Sequence, residues 1–80
     1  NYPNPFNAST VIEFELDHSG YVNLSIFDLS GKLVANPARG RFAPGIHQIQ
    51  FDAQDLASGV YIYKLLTENH IQQKRMILLR

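Results

Sequence analysis

Between Thr10 and Leu16 apolar and polar side chains alternate, with Thr10, Ile12, Phe14 and Leu16 on one side of an extended chain and Val11, Glu13 and Glu15 on the other. A period of two marks a half-buried β-strand. After the polar turn Asp17-His18-Ser19-Gly20, Val22, Leu24 and Ile26 alternate with Tyr21, Asn23, Ser25 and Phe27 up to Asp28, which predicts a second long strand. Asp28-Leu29-Ser30-Gly31 places Asp first and Gly fourth in a type I turn, and Lys32 to Ala35 returns as a short strand. Asn36 to Ala43 carries Pro37 and Gly40 and reads as an irregular loop. Pro44-Gly45 suits the central positions of a type II turn, where Gly takes the positive φ. Beyond it Ile46, Gln48 and Gln50 face one way and His47, Ile49 and Phe51 the other, until Asp52-Ala53-Gln54-Asp55 breaks the pattern.

From Val60 to Glu68 both faces are largely apolar, as in a strand with neighbours on either side, and Asn69-His70 forms the last tight turn. The closing run, Ile71 to Leu79, splits into Gln72, Lys74, Met76 and Leu78 on one face and Gln73, Arg75, Ile77 and Leu79 on the other. Its end is apolar on both sides. Five clear strands, one or two short ones and turns between them predict an all-β, immunoglobulin-like antiparallel β-sandwich of about seven short strands. In such sandwiches a Tyr just past a corner between sheets returns its hydroxyl to the backbone a few residues upstream. Tyr61, two residues after Gly59 in Leu56-Ala57-Ser58-Gly59-Val60-Tyr61, is placed for that role, with Leu56 plugging the end of the core. At the start, Pro3 and Pro5 lack amide hydrogens and leave an irregular extended opening.

Residues 1–80 make a single domain, and a chain this short buries only about 60% of its unfolded surface. It has no cysteine, so packing and strand pairing must hold it without disulfides. The net charge is zero but segregated. Glu13, Glu15, Asp17 and Asp28 precede any Lys or Arg, and Lys32, Arg39 and Arg41 follow. Asp52, Asp55 and Glu68 then stand against Lys64, before Lys74, Arg75 and Arg80. A nucleic-acid module carries a strong positive balance with aromatics in the basic stripe, which is missing here. Opposite charges facing each other across neighbouring strands are the expected arrangement. The chain opens without an initiator Met or signal sequence and has no apolar run of membrane-spanning length. It reads as a fragment or a processed module; if its parent is secreted, the export signal is expected upstream of Asn1.

No constellation carries chemistry. His18, His47 and His70 lack a second ligand at metal-site spacing; two belong in turns and His47 on a strand, partly buried. The serines lack a nucleophile elbow. Glu13 and Glu15 are side by side on an outward strand face, the ordinary place for glutamate. Neither an enzyme activity nor a cofactor is expected.

Five short motifs, in this order and spacing, resemble the C-terminal sorting domains of the type IX secretion system. They are the Pro-x-Pro opening (Pro3, Pro5), a strand ending in Asp28 before the Gly31 turn, and Gly-x-His-x-aliphatic-x-aromatic-Asp from Gly45 to Asp52. Gly59-Val60-Tyr61 and the final Lys-x-Met (Lys74, Met76) complete them. The chain departs from the pattern at Ala8, where a third proline is common, at Phe51, where Trp is usual, and at Asn36-Pro37 in a variable stretch. The resemblance implies a domain read by secretion proteins at the outer membrane of a Gram-negative bacterium. Its cargo would then be left on the cell surface or released, often after cleavage by a sortase-like peptidase. A related module occurs in flagellar hook-capping proteins. Two other readings stay open: an immunoglobulin-like unit that self-associates by strand addition, with Asn1 to Asn7 as the docking segment, and a carbohydrate-binding sandwich using Tyr21, Phe27, Tyr61 and Tyr63. For sorting, the expected recognition residues are Lys74, Met76, Leu78, Leu79 and Arg80. Their apolarity on both faces fits an edge strand used by a partner and a buried central strand equally well.

Overall fold

The computed structural model describes residues 9–53 and 55–78. Six strands follow one another: β1 (Ser9–Leu16), β2 (Gly20–Asp28), β3 (Leu33–Phe42), β4 (Gly45–Asp52), β5 (Gly59–Leu66) and β6 (Ile71–Leu78). All pairings are antiparallel. β1 and β4 form one sheet, and β3-β2-β5-β6, in that order, form the other. The two sheets are packed as a sandwich, as the alternation predicts.

The core is the set of inward residues that the period of two selects. Ile12, Phe14 and Leu16 from β1 and Phe51 from β4 meet Val22, Leu24 and Ile26 of β2, with Tyr61 and Leu65 of β5 and Leu78 of β6 beside them. Val22, Leu24 and Ile26 are 0% exposed, so the middle of β2 is the centre of the molecule. Burying each such side chain is worth about 1.5–3 kcal/mol, and this small set must offset the ordering of the chain.

The described residues form six strands rather than seven, and the difference lies at β3. The short strand expected at Lys32 to Ala35 and the loop expected from Asn36 to Ala43 are one strand, Leu33–Phe42. Proline is tolerated there for two reasons. Among the described residues β3 pairs with β2 alone, so one of its edges needs no amide donors. Between the pairs Leu24↔Ala38 and Ile26↔Ala35 the register shifts, so that Asn36 and Pro37 together oppose Ser25 in a β-bulge. Asn36 supplies the donor that Pro37 lacks: its Nδ2 lies 2.7 Å from the Leu24 carbonyl and 2.7 Å from Asn23 Oδ1. β5 also ends at Leu66, ahead of the expected Glu68, because Thr67 N–H and the His70 carbonyl close the final turn at 2.9 Å.

Candidate recognition surface

Several motif residues serve the fold. At the corner before β5, Tyr61 Oη donates to the Ala57 carbonyl at 2.7 Å while its ring is buried in the core. Leu56 packs half-buried against that core, as its position implied. Asp28 organises the β2–β3 hairpin: its Oδ1 accepts from Ser30 Oγ at 2.6 Å, Ser30 N at 2.9 Å and Lys32 N at 3.0 Å. These donors, the Ser30 hydroxyl foremost, hold the Asp28 carboxyl below its ordinary pKa. Gly31, at φ +91°, makes the left-handed step that ends the turn.

Gly45, at φ +121°, begins β4 just past the bend at Pro44. There the chain leaves the four-stranded sheet for the two-stranded one. His47 pins that crossing. Its ring packs against Phe14 and Phe42, with centroids 5.4 Å and 5.1 Å away, and Nε2 sits 2.7 Å from the Ala43 carbonyl. A carbonyl can only accept, so Nε2 carries the proton. The histidine of the Gly-x-His motif is therefore structural. His18 and His70 are exposed in turns, and among the described residues no group of His, Asp and Glu could hold a metal ion. Asp52, exposed, ends β4 opposite Ser9. Pro3 and Pro5, and the docking segment expected at Asn1 to Asn7, lie outside the described residues.

Among the described residues β6 is an edge strand, paired with β5 alone in an unbroken register from Gly59↔Leu78 to Leu66↔Ile71. Its two faces differ. Leu78 is buried and Met76 half-buried against the core, while Lys74 has the same parity but is exposed. Arg75 and Ile77 point outward, and Ile77 is 67% exposed. Lys74, Met76 and Leu78 are thus brought into one line. Leu79 and Arg80 lie outside the described residues.

The charged side chains are arranged differently from the expectation. In the strand registers no Asp or Glu stands opposite a Lys or Arg. Three of them meet neutral partners: Gln48 Nε2 donates to Glu13 at 3.1 Å, Arg39 Nε to the Tyr21 hydroxyl at 3.2 Å, and Lys64 Nζ lies 5.5 Å from the Phe27 ring centroid. Instead the charges segregate by face. Glu13, Glu15 and Asp52 project from the outer side of the two-stranded sheet, and Arg39, Arg41, Lys64 and Arg75 from the outer side of the four-stranded one. Charge order along the chain hinted at this. Assigning faces required knowing that Arg39 and Arg41 belong to a strand. Of the aromatics weighed for sugar binding, Tyr61 is in the core and Tyr63 packs against it, so only Tyr21 and Phe27 share the outer face.

Among the described residues no helix is long and apolar enough to cross a membrane. Neither the curated proteins nor the solved structures give a match to this chain. The family model for the secretion system C-terminal sorting domain matches residues 1–79. With nearly its whole length covered, the chain belongs to that family, the sorting domains of type IX secretion.

Proposed function

We propose that this domain directs a cargo protein across the outer membrane by offering β6 to the type IX export machinery, which leaves the cargo at the cell surface or releases it. The observation that carries the reading is the family match over residues 1–79. The geometry adds a mechanism. An edge strand presents a row of unpaired N–H and C=O groups that an incoming strand can pair with. β6 offers eight residues without a proline or a bulge. Met76 and Leu78 seat that strand on the core and fix its register, Lys74 supplies an exposed charge, and Leu79 and Arg80 complete the recognised segment. The domain does no chemistry of its own in this scheme; recognition is by backbone pairing plus side-chain fit.

The test is export of a reporter fused ahead of Asn1 in a host with a working type IX system. The reporter is expected outside the cell with the domain attached and inside without it. Retention of the fused reporter in the periplasm would contradict the reading.

A further inference from the structure

The outer face of the four-stranded sheet carries Arg39, Arg41, Lys64 and Arg75 and, among the described strand residues, no acid at all. Outward faces of small antiparallel sheets are ordinarily polar and mixed in sign, because single-sign surfaces repel themselves. Apolar residues accompany the cations. Leu33 at 53% and Ile77 at 67% exposure flank Phe27 and Ile62 near the β2–β3 hairpin, and Ile71, 68% exposed, sits at the other end. With strands about 4.8 Å apart, β3 to β6 spans about 14 Å, so the cations are spread over the sheet. Lys64 Nζ lies over the Phe27 ring, 5.5 Å from its centroid, within cation–π range. Exposed apolar side chains set among charges of a single sign mark an interaction site, and that sign selects a partner of the opposite one.

We propose that this face docks an acidic, partly apolar protein surface during export, a second contact beside β6 that rests on the sorting role given above. A protein fits better than a lipid surface. The face interleaves its apolar and basic groups, whereas membrane-surface segments separate an apolar side that enters the bilayer from a basic side that does not. The acidic face across the sandwich, bearing Glu13 and Glu15, plays no part in this contact.

The experiment reverses charge on each face of the domain fused to an exported reporter. Lys64→Glu with Arg75→Glu is expected to lower export about tenfold or more, as like-charge contacts at an interface do, while Glu13→Lys with Glu15→Lys leaves it within about twofold. The milder pair Lys64→Gln with Arg75→Gln should fall between, which guards against a loss caused by misfolding. Cooperative urea melts of every variant establish that each is folded. Undiminished export of the folded Lys64→Glu/Arg75→Glu variant overturns the proposal, as does an equal loss from the acidic-face variant. If the unaltered chain fails to carry the reporter out, the sorting reading itself has failed, and this inference with it. Binding of the purified chain to phosphatidylglycerol–phosphatidylcholine vesicles, lost in Lys64→Glu/Arg75→Glu, would assign the face to a lipid surface and overturn the protein partner. Salt-sensitive self-association in sedimentation, abolished by reversal of either face, would assign it to a second copy and likewise overturn it.

Discussion

The two edges of the four-stranded sheet are built to opposite specifications. β3 shifts register between Leu24 and Ile26 and again between Ile26 and Phe27, carries Pro37, and takes a positive φ of +137° at Gly40. Each of these spoils the straight, evenly spaced row of backbone groups that another strand needs. β6 keeps register with β5 from end to end and has none of these devices. Among the described residues both strands are edges of the same sheet, so the difference is not imposed by strand order. It matches the proposal, in which β3 is unsuited to pairing and β6 is suited to it. The charges repeat the lesson more weakly: Lys74 and Arg75 on β6 keep an open edge soluble without bending it.

The contrast can be broken most severely at the seat of β6. Leu78 is 6% exposed, and Leu78→Ala should cost about 2–4 kcal/mol in urea melts, while Ile77→Ala on the outer side should stay within about 0.5 kcal/mol. Similar costs at the two positions would mean that β6 does not rest on the core as described. Tyr61 stands opposite Met76, so the corner bond to Ala57 steadies the strand on which β6 leans. Tyr61→Phe should lose about 1–2 kcal/mol and speed amide exchange in β6 before β3. Equal stability of the two forms would remove the corner from the account.

Smaller effects sharpen the β3 side. Asn36→Ala deletes the donors to Leu24 and Asn23 at the bulge and should cost about 1 kcal/mol, read as a shift in the urea midpoint with unchanged slope. No shift would mean that the bulge stands without that side chain. Asp28, at the hairpin that starts β3, gives the least and a pH signature. Its native pKa is lowered, so its contribution is present above the ordinary carboxylate range and is lost as pH falls through the native value. Asp28→Asn should therefore be the less stable form at neutral pH and converge with the parent in acid. A gap that is the same at both pH values would sever the link to the carboxylate.

Most of the fold was legible from the chain. β1, β2 and β4 follow their alternation because each has one face on the core, β5 was legible from apolarity on both faces, and the Tyr61 corner could be read from Leu-Ala-Ser-Gly-Val-Tyr. β3 was hidden because Pro37 and Gly40 are loop signals except on an edge, and edge position is a property of the assembled sheet. The same limit applies at β6. Met76, Ile77, Leu78 and Leu79 fit a central strand as well as an edge, and only strand order tells them apart. The two-faced charge pattern needed both facts at once.

The claim that the open edge carries the sorting information is tested most directly by removing Leu79 and Arg80 alone from a reporter fused to the domain. Export should be lost while the trimmed domain, made by itself, still melts cooperatively. Export that survives the trimming, or a trimmed domain that simply unfolds, would contradict a recognition role for the terminal strand.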